Sequence, residues 1–146
     1  MIRAAVVNDI PALLDMGMRF HEGSAYSKLI QPSKAKVAET LKFLIENDSG
    51  LVFVDDRDGK IVGAILGMVI THFVSGQITA AELSWWVDEE YRGLSGPRLL
   101  RALEDGAKAK GATTISAVEP PGNPGVGRLY ERRGYELTEK SYMKAL

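Results

Sequence analysis

The stretch Val87 to Leu100 reads Val-Asp-Glu-Glu-Tyr-Arg-Gly-Leu-Ser-Gly-Pro-Arg-Leu-Leu. A hydrophobic strand end runs into the acidic turn Asp88-Glu89-Glu90. Arg92 follows, then small residues, then the start of an amphipathic helix. Small residues let the backbone curl until several N–H groups aim at one point, and a helix N-terminus adds its positive dipole end there. Arg92 contributes a full charge. Gly93, Leu94, Ser95, Gly96 and Arg98 all keep an N–H. Pro97 has none, but its fixed φ suits the opening turn of a helix. The Ser95 hydroxyl is a further donor, and it equally fits a helix N-cap. The pattern predicts an anion site, with a phosphorylated ligand as its natural occupant.

Composition narrows the remaining chemistry. The chain has 146 residues, 18 basic and 19 acidic side chains, a net charge of −1 and no cysteine. A general nucleic-acid surface needs a basic excess, so nucleic acid is not an expected partner. The absence of cysteine removes disulfides, thiolate metal sites and a cysteine nucleophile. His21 and His72 are the only histidines, and two alone have no recognisable metal-ligand spacing. No apolar run approaches the roughly 20 residues of a membrane span, and Asn8, Asp9 and Pro11 break up any signal-peptide pattern. A single cytoplasmic domain over residues 1–146 is expected.

The elements that must position these residues follow from period and punctuation. Ile2 to Val7 reads as a strand, with Asn8 and Asp9 as an N-cap and Pro11 in the first turn of a helix. Ile10, Leu13, Leu14 and Met18 form that helix's apolar stripe. A second helix, capped by Ser33, carries Val37, Leu41, Leu44 and Ile45. Leu51–Val54 and Ile61–Ile70 are strands joined by the hairpin signal Asp58-Gly59. Ser75-Gly76 suggests a second hairpin into a strand over Thr79–Asp88. Strict alternation there sets Leu83, Trp85 and Val87 on one face and Glu82, Ser84 and Trp86 on the other. Leu99, Leu100, Leu103 and Ala107 stripe the next helix. Thr113–Val118 is a strand, Gly125–Arg133 a short helix, and Tyr135–Leu137 with Ser141–Leu146 a last strand pair. The order β-α-α-β-β-β-α-β-α-β predicts an α/β (α+β) fold with a mixed, mostly antiparallel sheet and helices on both faces.

This order and two motifs resemble the GNAT superfamily of acetyl-CoA-dependent N-acetyltransferases. Val87 to Gly93 is similar to the strand end that precedes the family's pyrophosphate turn, Arg/Gln-x-x-Gly-x-Gly/Ala. Asn123-Pro-Gly-Val-Gly-Arg-Leu-Tyr-Glu-Arg-Arg-Gly-Tyr135 resembles Asn-x-x-Ala-x-x-Leu-Tyr-x-x-x-Gly-Phe. The resemblance covers nearly the whole chain and is nearest to phage-encoded members. Two residues depart from the turn pattern: Ser95 stands for Gly, and Pro97 for Gly or Ala.

The resemblance implies acetyl-CoA as cosubstrate, no metal, and transfer of acetyl to an amine acceptor. It implies a pyrophosphate held by Arg92, Gly93, Leu94, Ser95, Gly96 and Arg98. Trp86 and Val87 would hold the pantetheine, with the Val87 amide as oxyanion donor, and Asn123 would touch the cofactor. Tyr130 would protonate the leaving thiolate. Glu82, on the fourth strand, would be the base, its pKa raised by burial beside an aromatic ring. Read without the resemblance, Asn123 is a helix cap or loop residue, Tyr130 a half-buried aromatic, and Glu82 a solvent-facing carboxylate. The loop from His21 to Ser27 and the hairpin from Thr71 to Gln77 are expected to shape the acceptor pocket. Homodimers are common in the resembling family, so a second copy is an implied partner. The alternative is an inactive CoA-binding or protein-interaction module on the same fold.

Overall fold

The computed structural model describes residues 1–146. Its sheet has five strands in the order β1-β2-β3-β4-β5: β1 Ile2–Ala4, β2 Gly50–Arg57, β3 Lys60–Thr71, β4 Ile78–Val87 and β5 Thr114–Ser116. The first four pair antiparallel in sequence order. Helix α3 (Arg92–Ala109) crosses over to bring β5 in parallel beside β4. Helices α1 (Ile10–Glu22) and α2 (Lys34–Glu46) cover one face through Leu13, Met16, Leu41 and Leu44. Helices α3 and α4 (Pro124–Arg132) cover the other through Leu99, Leu100, Leu103 and Tyr130.

Local signals act as expected at several points. Ser33 caps α2 by accepting the Lys36 N–H. Asp58 and Gly59 both take positive φ, at 55° and 89°, which is the backbone a two-residue type I′ hairpin requires. Helix α3 lies close to the sheet: a Cβ on Gly67 would fall 2.8 Å from a Leu103 methyl, and one on Gly96 3.1 Å from the Trp85 ring.

Four expectations are corrected. First, no strand pair forms over Tyr135–Leu137 and Ser141–Leu146, and β5 is the last strand. Tyr135 instead packs its ring 5.1 Å from Tyr130, and Leu137 and Tyr142 stand exposed. Second, β1 stops at Ala4 and a 3-10 turn spans Val7–Asp9. The Asp9 carboxylate makes no cap on α1; it accepts the Val6 N–H and a bidentate Arg3. Third, α3 begins at Arg92, so Gly93 to Gly96 form its first turns rather than a loop. Pro97 is the sixth helical residue, where it cannot donate to the Gly93 carbonyl.

The fourth correction moves a site residue. Leu66 pairs with Ser84 but Gly67 with Glu82, so Leu83 is an extra residue on β4. A bulge of this kind resets the side-chain alternation. Leu83 points outward, 48% exposed. Glu82 leaves the face of Ser84 and Trp86 and joins Ala80, Trp85 and Val87 on the face covered by α3 and α4.

Candidate active site

Strand β5 pairs with β4 only over Thr79–Ala81; beyond Ala81 the two diverge. The opened edge of β4 is polar in a defined way. Asp88 N–H donates to the Val62 carbonyl, and Gly63 faces Val87. In an antiparallel ladder this makes Gly63–Val87 a non-bonded pair, and Ile65–Trp85 another. The N–H and C=O groups of Trp85 and Val87 therefore point away from β3, into the gap. The Val87 carbonyl accepts from Arg92 Nε at 3.1 Å.

Across the gap, the backbone of one residue, Val118, holds both sequence-predicted catalytic side chains. Glu82 is 9% exposed, and its carboxylate accepts the Val118 N–H at 3.1 Å. Tyr130 is 7% exposed, and its hydroxyl donates to the Val118 carbonyl at 3.2 Å. Val118 is where the β5 backbone leaves the sheet, and these two side chains replace the ladder partners it has lost. Burial pushes the Glu82 carboxyl up to about 7, against the opposing pull of the Val118 hydrogen bond. Burial first, and the Glu82 charge after it, push the Tyr130 phenol well above its ordinary value. The site thus pairs a carboxyl that changes charge near neutral pH with a phenol that keeps its proton. Trp85 packs beside them, its ring 6.2 Å from Tyr130. Its indole N–H is buried without a partner.

On the α1 side of the same strand end lies an open cavity of about 610 Å³, lined by Arg19, Trp86, Asp88, Glu89, Glu90 and Arg92. Trp86 is fixed there from three directions. Phe20 meets it edge-on at 6.2 Å, the Arg92 guanidinium lies 5.3 Å over its ring, and its indole N–H donates to Asp88 at 3.1 Å. Asp88 is held in turn by Arg19 at 2.9 Å. Cation–π contact and the bond to Val87 thus fold Arg92 back over Trp86, rather than out over the α3 turn. His21 Nε2 donates to the Ile30 carbonyl at 2.8 Å, pinning the loop after α1.

The expected anion turn is divided by the helix that contains it. An α-helix leaves the N–H groups of its first turn without ladder partners. In α3 these include Gly93 and Leu94, both exposed. Ser95 and Gly96 face inward. The Ser95 hydroxyl is not available as a replacement phosphate donor, because it is fully buried and donates to the Asp55 carboxylate. Arg98, further along α3, makes no ion pair. Asn123 sits at the N-cap of α4, but its side chain makes no capping bond.

The sequence reading missed Val118, whose role is its backbone and therefore leaves no side-chain signal. It also missed Asp55, which is fully buried. A signal for Asp55 was present, since period two places it on the same face of β2 as Leu51 and Phe53.

Solved structures share this arrangement of elements. The chain matches an acetyltransferase from Trypanosoma brucei with a TM-score of 0.75 at 19% identity, covering 100% of this chain and 99% of that one. A soil-metagenome aminoglycoside acetyltransferase, solved with sisomicin, gives 0.76 at 19% identity, covering 100% and 95%. A ribosomal-protein-alanine N-acetyltransferase from Brucella melitensis gives 0.73 at 16% identity, covering 100% and 99%. At such identities the likeness speaks for the fold. A search of curated protein sequences finds no match at the significance required. Residues 17–135, which contain the diverging strands, the α3 turn and the Asn123–Tyr135 segment, match the model of the acetyltransferase (GNAT) family, and the chain belongs to that family.

Proposed function

We propose that the protein is a cytoplasmic N-acetyltransferase that moves the acetyl group of acetyl-CoA to a primary amine, by direct attack in a ternary complex. The observation that carries this reading is the gap between β4 and β5. Strand β4 presents the outward N–H and C=O of Trp85 and the N–H of Val87, with the Glu82 side chain further back on the same strand, and Tyr130 from α4 joins Glu82 on the Val118 backbone across the gap. A linear amide-bearing ligand fits a strand edge of this kind. The Gly93 and Leu94 N–H groups at the start of α3, with Arg98 further along the helix, suit its phosphate end, and Arg92 joins them only by leaving the Trp86 ring. Ser95 and Gly96 contribute through backbone shape, and Asn123, at the N-cap of α4, is the remaining cofactor contact in this reading.

Acetyl-CoA supplies an activated acyl carbon. Glu82 in its charged form takes a proton from the attacking amine, leaving the neutral nitrogen as nucleophile. The Val87 N–H stabilises the carbonyl oxygen as negative charge develops on it. The new C–N bond forms, the C–S bond breaks, and the Tyr130 hydroxyl gives its proton to the departing sulfur. That hydroxyl turns from the Val118 carbonyl to do so. The second proton, shed by the acylated nitrogen, returns to the Tyr130 phenolate. The absence of cysteine supports direct attack over an acetyl-cysteine route. The cavity beside Trp86 is the entry for the amine, and a second copy of the chain is the expected partner.

The test is release of CoA thiol from acetyl-CoA across a panel of amines: amino acids, peptides with free N-termini, polyamines and aminoglycosides. Intersecting initial-velocity lines with a productive amine support the reading. Tight CoA binding with no transfer to any amine would assign the protein to the inactive, CoA-binding alternative.

A further inference from the structure

Ser95 occupies a position where the resembling turn has glycine, and the fold gives that difference a purpose. The apolar stripe of α3 runs back from Ala107 through Leu103 and Leu99, and its next member at helical spacing is Ser95. The α3-facing side of β2 runs from Leu51 through Phe53 to Asp55. Both apolar rows therefore end in a polar residue, and the two polar residues meet: the fully buried Ser95 hydroxyl donates to the fully buried Asp55 carboxylate. The other partners of Asp55 are Arg57 Nη2 at 2.9 Å and the Met1 α-amino group at 3.1 Å. Burial alone would raise the Asp55 carboxyl. The hydrogen bonds from Ser95, Met1 and Arg57 outweigh it and hold the group below the usual carboxylate range.

The pair sits one residue beyond Leu94, at the first turn of α3, where Gly93 and Leu94 are exposed. Arg92 and Gly96 hold the two ends of that turn, through the Val87 carbonyl and the Trp85 ring, and the corner between them is open. Gly93 meets nothing within 4 Å of a built Cβ, Leu94 is exposed, and Pro97 removes the rung to Gly93. We infer that Ser95 and Asp55 are positioning residues, which fix the first turn of α3 against β2 so that its N–H groups meet the phosphate end of the cofactor. The inference rests on the proposed use of acetyl-CoA. A charge-assisted bond between two buried groups suits the task, because it is both strong and directional.

The experiment compares CoA with pantetheine, which lacks the nucleotide and its phosphates, by calorimetric titration of the wild type, Ser95→Ala, Ser95→Gly and the double variant Ser95→Ala, Asp55→Asn. The double variant removes the buried charge along with its donor, which keeps the test open if Ser95→Ala alone does not fold. CoA affinity is expected to fall roughly tenfold, the size of one charge-assisted hydrogen bond, while pantetheine affinity falls far less. The ratio of the two affinities is the readout, because general loosening of the fold would lower both together. An unchanged ratio in folded variants of a CoA-binding wild type overturns the pair's role alone. A wild type that binds no CoA overturns the cofactor reading, and the positioning role with it.

Discussion

At the scale of single residues, Glu82 carries the sharpest consequence. Its carboxyl titrates near 7 because burial disfavours the charged form, which is the form the proposed base uses. The pH profile of kcat/KM should therefore rise through a limb near 7. Glu82→Gln should abolish that limb and lower kcat/KM by about 10²-fold or more, the usual reach of general-base catalysis. The same shift fixes a stability effect of opposite sense. Between the ordinary value of 4.5 and about 7 the folded protein holds a proton that the unfolded chain has released. Stability from this group is thus fully present at low pH and is lost as pH rises through 7. Glu82→Gln should accordingly be more stable than wild type at pH 8, by up to ~3 kcal/mol, measured by urea unfolding. Tyr130→Phe makes a separable prediction. It should lower kcat at least tenfold while leaving the KM for acetyl-CoA within about twofold, since in the proposed mechanism the hydroxyl acts on the leaving group. Unchanged turnover in that variant would remove Tyr130 from the mechanism.

At the scale of elements, the site depends on one irregularity and several close approaches. The extra residue Leu83 decides which face of β4 Glu82 occupies. Period two alone would send it to the face of Trp86, away from Tyr130 and Val118. Deleting Leu83 should restore regular pairing and leave Glu82 opposite Gly67, on the face of Trp85 and Val87. The expected result is a chain that keeps both its far-ultraviolet circular dichroism and the pH limb near 7, and loss of that limb would show that the bulge itself, and not the face alone, sets the Glu82 carboxyl. Helix α3 reaches the gap only because Gly67 and Gly96 let it settle onto the sheet. Gly67→Ala would drive a methyl into Leu103 and the Ala81 carbonyl, and should cost about 1–3 kcal/mol of stability, read as a lower urea midpoint.

At the scale of the whole molecule, a second polar cluster ties the N-terminal strand to its surroundings. Arg3 bridges Asp9 and Asp56 with bonds of 2.7 to 3.0 Å. Its hydrogen bonds hold both carboxyls below their ordinary values. Such groups stabilise the fold above the unfolded carboxylate pKa, and the contribution is lost as pH falls through their folded values. Unfolding in acid should therefore begin below about pH 4. Arg3→Met should move that onset to higher pH and lower stability at pH 7, as followed by circular dichroism. Ligand binding acts on the whole fold in the other direction: CoA at 100 times its Kd should add about 2.7 kcal/mol, seen as a rise in Tm.

The sequence by itself determined the element order as far as α4, the mostly antiparallel sheet, the Asp58-Gly59 hairpin, the Ser33 cap and the family. These rest on local propensity and on apolar periods that survive in one dimension. It also marked Glu82, Tyr130 and the α3 turn as the residues to watch. Only the tertiary structure decided how they meet. A bulge is a mismatch between two strands and cannot be read from one of them, so the face of Glu82 was misassigned. The joint hold of Glu82 and Tyr130 on Val118 uses backbone atoms that every residue carries. Ser95 could be read from its neighbours as a phosphate donor or a cap. Its true partner, Asp55, lies 40 residues away in sequence, and burial of both groups together made the choice.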